Sequence, residues 1–287
     1  MSMTALLALA ASAATLPANP GAVSGEELRR QCEGKDSFTD LAPPAHVYGN
    51  VWYVGTCAVT ILLVTSPDGH VLIDAGMEET AGDVVASIRR LGFNPRDVKW
   101  IVSSHEHFDH IGGLAALQKA TGAKFAATAE AAKVIRSGKV SLADPQVQEI
   151  HGSPKARVDR IIRTGDVVSV GPLKLTAFAT PGHTEGSTSW HWKSCEGTAC
   201  RTVTYVDSVT ALPLGTYRFA DHPDRVAMFR QTFAQVEALE CGILLTPHPA
   251  ASAMFERMSG ARPLEDPEAC KTLAAGARDR LEKALRK

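Results

Sequence analysis

His105-Glu106-His107-Phe108-Asp109-His110 is the segment around which the chain is organised, and it carries four potential metal ligands within six residues. The apolar run before it, residues 99–104, predicts a short buried strand, and residues 111–117 after it predict the beginning of a helix. The motif therefore lies on the turn that joins a strand to a helix. A metal centre explains so many ligands in one turn better than ordinary core or surface histidines do.

The turn divides these ligands between two ions. His105 and His107 are two apart in an extended segment, so their side chains point to the same side and can share one ion. Asp109 and His110, at the start of the helix, can face a second ion. Imidazole nitrogen and carboxylate oxygen are ligands that suit zinc. Glu106 should point away from its histidine neighbours, and we interpret it as supporting a ligand or as solvated.

Two more histidines can complete the two sites. His183 lies in Pro181-Gly182-His183-Thr184, and His248 lies in Thr246-Pro247-His248-Pro249. Each would add one imidazole to an ion that the central motif holds in part. Taken singly, either histidine is also compatible with an ordinary place in the core or on the surface.

The composition narrows the class of function. With 287 residues, 45% of them hydrophobic, the chain can bury a substantial core, and its net charge of -1 argues against a nucleic-acid partner. No segment reaches the roughly 18 apolar residues of a membrane span, so no membrane association is expected. No linker or charge block divides the chain after residue 45, which favours a single domain over residues 19–287.

The N-terminus has the pattern of an export signal. Residues 4–14 form a short apolar run that ends in small residues at A-x-A spacing, although no Lys or Arg precedes Arg29. We expect a signal peptide over residues 1–18 and a periplasmic location. The mature N-terminal arm, rich in Pro, Gly and polar side chains, should extend to about residue 45.

The cysteines are consistent with export. They stand at positions 32, 57, 195, 200, 241 and 270, none in the C-x-x-C spacing of a thiol redox motif or a structural zinc knuckle. An even count in an exported chain suggests disulfides. Many connectivities are possible, and proximity suggests only the pair Cys195 and Cys200. The alternative is free buried thiols in a cytosolic enzyme.

Strand and helix patterns alternate in two similar halves. Predicted strands cover residues 51–54, 61–64, 70–73, 99–104, 124–127, 167–170, 173–178, 187–192, 202–206 and 242–245. Predicted helices cover residues 78–91, 111–122, 130–136, 225–239 and 267–285, and residues 137–160 read as a long loop. Each half runs strands first and helices after, which indicates two β-sheets packed face to face with helices outside both. The ligand-bearing loops should gather along one edge.

With these ligands in place, the sequence resembles the metallo-β-lactamase superfamily from about residue 45 to residue 287. Residues 105–110 match its H-x-H-x-D-H loop, and the closest resemblance is to the class B β-lactamases of subclass 3. The segments that carry this finer resemblance are residues 48–56, 180–184, 205–208 and 245–249. The resemblance implies an α/β (α+β) fold, a four-layer αββα sandwich of two mixed β-sheets with helices on both outer faces.

The resemblance also implies a cofactor and its ligands. Two Zn²⁺ ions per chain, with a bridging water or hydroxide, are expected. The implied ligands are His105, His107 and His183 for the first ion and Asp109, His110 and His248 for the second. Asp109 would also orient the hydroxide, which makes it the expected catalytic residue. Asp74 is similar to the family's carboxylate that accepts the other N–H of a ligand histidine.

The activity that the resemblance implies is hydrolysis of the β-lactam amide bond of penicillins, cephalosporins and carbapenems, which confers antibiotic resistance. We expect a monomer acting on a small-molecule substrate. Ser208 and Thr210 place two hydroxyls on one face of an extended segment, suited to a substrate carboxylate.

Family members with six cysteines pair neighbours along the chain, which implies the disulfides Cys32–Cys57, Cys195–Cys200 and Cys241–Cys270.

One alternative activity lies within the same superfamily. Glyoxalase-II-like thioesterases and lactonases use an aspartate that bridges both metals, and Asp207 is the candidate for it here. Asp207 and Ser208 are neighbours, so only one of them can face the metals if the segment is extended. Ser208 in that position favours a β-lactamase.

The sequence also departs from the family at Glu185-Gly186-Ser187, where Pro-Gly-Gly is expected, although no ligand is lost.

Overall fold

Two β-sheets lie face to face with helices on both outer sides in the computed structural model of the chain, which describes residues 19–286. The expected signal peptide, residues 1–18, lies outside the described residues.

The strands are β1 (Ala45–Tyr48), β2 (Val51–Tyr53), β3 (Leu62–Val64), β4 (His70–Ile73), β5 (Val98–Val102), β6 (Lys124–Ala127), β7 (Arg160–Ile161), β8 (Val167–Val170), β9 (Leu173–Ala179), β10 (Thr188–Glu196), β11 (Ala199–Tyr205) and β12 (Ile243–Leu245). The helices are α1 (Gly25–Cys32), α2 (Ala81–Arg90), α3 (Phe108–Ile111), α4 (Leu114–Thr121), α5 (Ala129–Ser137), α6 (Pro223–Glu237), α7 (Met254–Met258) and α8 (Ala269–Ala284). Within residues 19–286, no helix combines the length and the apolar character that crossing a membrane requires.

The first sheet contains β1 to β7 in the order of the chain. Strands β1 to β4 pair antiparallel, and β4 to β7 pair parallel. Parallel neighbours need a crossover connection, which α2, α4 and α5 supply on one face of the sheet. As a consequence β4 and β5 end at the same edge, where Asp74 meets the turn formed by residues 103–110.

The second sheet has the order β12-β11-β10-β9-β8. Strands β8 to β11 are antiparallel, whereas β12 runs parallel to β11 after a crossover through α6. Strands β11 and β12 therefore also end at one edge. The segment after β11 continues beside the end of β12, since the Val206 amide donates a hydrogen bond of 2.9 Å to the Leu245 carbonyl. This brings residues 206–210 close to residues 246–248.

Apolar side chains of both inner faces fill the space between the sheets. Tyr53, Trp190 and Tyr205 are the largest fully buried side chains of this core. Trp190 also links the sheets, because its Nε1 donates a hydrogen bond of 2.9 Å to the Ser103 carbonyl just beyond β5. On the outside, α2, α4 and α5 cover the first sheet, and α6 and α8 cover the second.

The architecture confirms the predicted fold, and the differences are local. The N-terminal arm contains α1, which begins after Ser24 as its N-cap and packs against α7. The sequence pattern predicts neither helix, because 8 and 5 residues give too few turns for a clear apolar periodicity. Strands β10 and β11 are longer than predicted and run up to the turn between Cys195 and Cys200.

Three disulfides join Cys32 to Cys57, Cys195 to Cys200 and Cys241 to Cys270, the pairs that the family resemblance implies. The first ties α1 to the loop between β2 and β3. The second closes the exposed β10–β11 hairpin. The third is buried and ties the beginning of α8 to the segment before β12, across a sequence separation of 29 residues against 5 for the hairpin pair.

We expect the buried disulfide Cys241–Cys270 to stabilise the fold more than the hairpin disulfide Cys195–Cys200. A cross-link restricts the unfolded chain more when it closes a longer loop, and these loops correspond to about 3.6 and about 2 kcal/mol. Replacing both cysteines of the buried pair by Ala should therefore lower the free energy of unfolding by about 1.5 kcal/mol more than the same change in the hairpin. Urea denaturation with zinc present measures both, and equal losses would contradict the expectation.

Candidate metal centre

The predicted metal-binding motif occupies the turn between β5 and α3. Helix α3 begins within the motif, so Asp109 and His110 lie on its first turn. All four predicted ligands in the turn are buried, and none is more than 6% exposed. Two glycines after α3 allow a close approach to the loop after β4, because a Cβ on Gly113 would lie 2.4 Å from the Ala75 carbonyl oxygen.

Two groups of metal-ligand atoms lie side by side in front of this turn. The first comes from His105, His107 and His183, whose ligand atoms are all within 4.8 Å of one another. Their ring centroids are 4.7 to 4.9 Å apart. The ligand atoms of His105, Asp109 and His110 also lie within 4.8 Å of one another. His105 is therefore next to both groups.

The second group comes from Asp109, His110 and His248. His110 Nε2 lies 3.0 Å from Asp109 Oδ2 and 3.3 Å from His248 Nε2, and Asp109 Oδ2 lies 3.5 Å from His248 Nε2. Two ligands of a tetrahedral zinc ion, each about 2.0–2.1 Å from the metal, are about 3.4 Å apart. The three atoms are spaced as ligands of one small cation would be. His248 is the most open member, with 32% of its side chain exposed.

A hydrogen bond holds each of the five histidines from behind. In every ring, the nitrogen that faces away from the ligand groups lies 2.7 to 3.1 Å from an oxygen acceptor. The pairs are His105 Nδ1 with Asp207, His107 Nε2 with Asp144, His110 Nδ1 with Asp74, His183 Nδ1 with the Thr210 carbonyl and His248 Nδ1 with the Ala58 carbonyl. Carbonyl and carboxylate oxygens only accept, so the rear nitrogen carries the proton.

The front nitrogens are left with lone pairs that point at one another and at the Asp109 carboxylate. Such acceptors repel when no donor or cation lies between them, and without a metal only a proton on His110 Nε2, 3.3 Å from His248 Nε2 and 3.0 Å from Asp109 Oδ2, can separate the second group. A shared cation turns the repulsion into attraction. Because imidazole nitrogen with one carboxylate is a donor set that suits zinc, the residues fit a metal centre.

The protonation of the histidines agrees with metal binding, with one exception. Burial lowers the pKa of His105 and of His248, and it lowers the pKa of His183 to about 3. These rings are therefore neutral at pH 7. Burial also acts to lower the pKa of His110, but the carboxylates of Asp109 and Asp74 outweigh it and raise that pKa to about 10. Metal binding must release this proton, so it weakens as the pH falls.

Asp74 lies behind His110 and accepts hydrogen bonds from four donors. Its Oδ1 accepts from the Ser104 amide at 2.6 Å. Its Oδ2 accepts from Ser104 Oγ at 2.8 Å, from the Tyr205 hydroxyl at 2.6 Å and from His110 Nδ1 at 3.1 Å. The residue is fully buried, and its φ of 65° lies in the left-handed region that is uncommon outside glycine. Asp74 therefore accepts a hydrogen bond from His110, a predicted ligand, and its role behind a metal-bound histidine stays a prediction.

Glu106 points away from the ligands, as expected, but it is buried rather than solvated. Its carboxylate accepts hydrogen bonds from Thr184 Oγ1 at 2.7 Å and from the Gly186 amide at 3.0 Å. These bonds fix the loop that carries His183. A Cβ on Gly186 would lie 2.6 Å from Glu106 Oε2, so this contact requires the glycine. Gly186 is also the position at which this segment keeps the expected glycine, since the departures from Pro-Gly-Gly lie at Glu185 and Ser187.

Asp144 is a residue of the site that the sequence pattern does not reveal. It lies in the loop over residues 137–160, yet it is only 3% exposed, and its Oδ2 accepts the rear hydrogen bond of a ligand histidine. Arg225 holds this loop in place, because it donates hydrogen bonds to the carbonyls of Ala143 and Gly182. No periodicity or spacing marks such a residue, since the contact depends on the path of a long loop.

The segment after β11 carries both residues that separate the alternative activities. Asp207 and Val209 are buried while Ser208 and Thr210 are half-buried, which is the predicted alternation, although the segment is not paired in a sheet. Asp207 lies behind His105, with Oδ1 2.7 Å from Nδ1. Burial raises the pKa of Asp207 well above its usual value, and a cation on the far side of His105 would oppose that shift.

The fold and the donor set together define a metallohydrolase, an αββα sandwich whose strand ends hold a buried cluster of imidazoles and a carboxylate. Residues 54–196 match the sequence profile of the Metallo-beta-lactamase superfamily. The solved metallo-β-lactamase MIM-1 from Novosphingobium pentaromativorans is 49% identical with a TM-score of 0.88, over 90% of this chain and 96% of that chain. MEM-A1, a subclass B3 metallo-β-lactamase from a soil metagenome library, is 38% identical with a TM-score of 0.83, over 87% of this chain and 98% of that chain. The chain belongs to the metallo-β-lactamase superfamily and groups there with the subclass B3 metallo-β-lactamases.

The curated relatives match over a shorter region. The hydroxyacylglutathione hydrolase of Methylobacterium nodulans is 33% identical over 103 residues, which are 36% of this chain and 31% of that protein. The chain spans about a quarter to a half of the length of the curated relatives that it matches. The solved B3 structures, by contrast, match nearly from end to end.

Removing one rear hydrogen bond should weaken one metal position at a time, because such partners contribute about 10–100-fold in metal affinity. We expect Asp144→Ala to weaken the position that includes His107, and Asp74→Asn to weaken the position that includes His110. Asp166→Asn is the control, since that carboxylate accepts from the Arg163 amide instead. Competition with a chromophoric zinc chelator measures both affinities. If the two variants weaken both positions equally, the rear bonds do not act on individual ligands.

Proposed function

We propose that this chain is a zinc-dependent β-lactamase that hydrolyses the amide bond of penicillins, cephalosporins and carbapenems and so confers antibiotic resistance. One observation carries the proposal. Five buried or partly buried imidazoles and one carboxylate turn their lone pairs toward two adjacent positions, with every imidazole fixed from behind. The likeness to MIM-1 over 96% of that chain supports the same function.

We further propose two Zn²⁺ ions per chain. The proposed ligands are His105, His107 and His183 for the first ion and Asp109, His110 and His248 for the second. Support comes from the spacing of the donor atoms and from the neutral state of most of the rings. When bound, the zinc ions would polarise the lactam carbonyl and make water a nucleophile near neutral pH by lowering its pKa to about 7.

The protein itself contributes fixed and correctly charged groups. Burial opposes the ionisation of Asp109, but the charge and hydrogen bond of His110 outweigh it and lower the pKa of Asp109 below its usual value. Asp109 is therefore a carboxylate at pH 7, able to accept a hydrogen bond from the attacking water and to orient it. Because the surrounding side chains are held by buried hydrogen bonds, little reorganisation is needed during the reaction.

Ser208 and Thr210 are the proposed binding groups for the substrate carboxylate. Both are half-buried, whereas Asp207 and Val209 next to them are buried. The Thr210 carbonyl also accepts the rear hydrogen bond of His183 at 3.0 Å, which fixes this segment against a ligand. A hydroxyl held there can donate to a carboxylate that enters from solvent.

The alternative function, thioester or lactone hydrolysis, draws on the likeness to hydroxyacylglutathione hydrolase. It needs a carboxylate that bridges the two metals from this segment. Asp207 is instead directed at the rear nitrogen of His105, where it acts on the ring and not on the metals. The half-buried neighbour is Ser208, and this arrangement favours the β-lactamase.

We also propose that the protein is exported to the periplasm. The three disulfides support this, because disulfides persist in oxidising compartments and are rare in the cytosol. The apolar run over residues 4–14, which lies outside the described residues, has the pattern of a signal peptide.

A panel of initial rates tests the proposed function. We expect the zinc-loaded protein to hydrolyse a penicillin, a cephalosporin and a carbapenem, and to lose this activity with EDTA and regain it with zinc. A thioester and a lactone, measured at the same enzyme concentration, should react far more slowly. A faster reaction with the thioester or lactone than with every β-lactam would overturn the assignment, as would β-lactam hydrolysis that persists after complete metal removal.

Ser208→Ala should mainly weaken substrate binding. A hydrogen bond to a charged group contributes about 1.5–3 kcal/mol, so we expect KM for a penicillin to rise about 10–100-fold with little change in kcat and none in zinc content. Ser169→Ala, an exposed hydroxyl on β8, is the matched control and should leave both constants unchanged. Asp109→Asn, in contrast, should lower kcat sharply. Unchanged KM in Ser208→Ala would rule out the proposed contact with the substrate carboxylate.

A further inference from the structure

A cleft that none of the proposed metal ligands lines lies beside the turn that follows His248. Its volume is about 460 Å³, and it is formed by residues 250–253, by α7 with the segment after it, and by one face of α8. Leu244, Pro263 and Leu273 give it apolar walls. The proposed β-lactam chemistry does not use this cleft.

Three guanidinium groups line the cleft without a carboxylate partner. Among residues 19–286, no carboxylate oxygen lies within 4.0 Å of a side-chain nitrogen of Arg257, Arg262 or Arg280. Other arginines of α6 and α8 are paired, since Arg230 contacts Glu282 at 3.2 Å and Arg278 contacts Glu237 at 2.9 Å. Of the arginines of α6 and α8, Arg280 alone has no ion-pair partner among residues 19–286, and it lines the cleft.

Arg257 is the buried member of the three, with only 7% of its surface exposed. Its hydrogen bonds go to neutral acceptors, namely the carbonyls of Ser252, Leu264 and Leu244 and the hydroxyl of Ser252. Burial lowers the pKa of Arg257 to about 10. The positive charge of Arg262 also lowers this pKa, whereas the carboxylates of Asp266 and Glu256 raise it. The group stays charged at pH 7, so a buried cation lies here that no carboxylate contacts within 4.0 Å among residues 19–286, although Asp266 and Glu256 are near enough to act on its pKa.

The only carboxylate that lines the cleft among the described residues belongs to Asp266, and its Oδ1 accepts from the Glu268 amide at 2.9 Å. Three arginines and one aspartate leave a net charge of about +2 on the lining. The middle of α8 is also kept narrow by Gly276, where an added Cβ would meet only Arg280 Nη1, at 3.6 Å. A glycine inside a helix is unfavourable to the helix, and here it leaves room in the cleft.

We propose that this cleft binds a small organic anion, with a phosphate or carboxylate group against the guanidinium groups and an apolar body against Leu244 and Leu273. The guanidinium fork matches both anions, and a buried unpaired cation gains most from such a partner. This site is separate from the metal centre, and its existence does not depend on which bond the enzyme hydrolyses.

Isothermal titration calorimetry of the zinc-loaded protein with phenyl phosphate and with inorganic phosphate, at one ionic strength, tests the proposal. Arg262→Gln/Arg280→Gln should weaken phenyl phosphate binding by at least about tenfold, because two charge-assisted contacts are lost. The control is the double variant Arg230→Gln/Arg278→Gln, which removes two positive charges that lie outside the cleft. It should leave the affinity for phenyl phosphate unchanged. Phenyl phosphate should bind more tightly than inorganic phosphate, because only the former has an apolar body.

Gly276→Leu provides a second variant that keeps every charge. Its side chain should fill the cleft and abolish phenyl phosphate binding, while zinc content and hydrolytic activity show that the fold is intact. Equal affinity in the two double variants would mean that the anion binds elsewhere, for example at the metals, and would overturn the proposal. Absence of any binding, or equal affinity for the two phosphates, would overturn it as well.

Discussion

Five imidazole rings can turn their lone pairs inward only because an acceptor fixes each ring from behind. A neutral imidazole carries one proton, and the acceptor decides which nitrogen holds it. Three of the acceptors are carboxylates, at Asp74, Asp144 and Asp207, and two are backbone carbonyls. Without a metal ion, the front nitrogens repel one another except where the proton of His110 separates them. Metal binding removes the remaining repulsion, so it should stabilise the folded state together with the site.

Residues of both sheets fix the imidazole rings. Asp207 follows a strand of the second sheet but holds His105, which follows a strand of the first sheet. Asp74 belongs to the first sheet and accepts a hydrogen bond from Tyr205 of the second sheet at 2.6 Å. These bonds cross the space between the sheets. The two sheets must therefore pack correctly for the histidines to adopt the correct tautomers. Metal binding thus depends on the whole fold.

Much of this could be predicted from the sequence, because the information is local. His105, His107, Asp109 and His110 lie within six residues, and strand and helix patterns place them on one turn. His183 and His248 follow from short segments that resemble the family, and the disulfide pairs follow from the pairing of neighbouring cysteines in family members with six cysteines. Asp144 could not be predicted, because its contact with His107 depends on the path of a loop. The sequence predicts the direction of Glu106, but its burial depends on the distant His183 loop.

The nitrogen through which each histidine binds metal is the most direct consequence of this account. Crystals of the zinc-loaded protein, measured at the zinc absorption edge, would locate the ions by anomalous scattering. The account predicts two peaks in each chain, with His107 contacting zinc through Nδ1 and the other four histidines through Nε2, at about 2.0–2.1 Å. A single peak, or contact through any nitrogen that faces a rear acceptor, would contradict it.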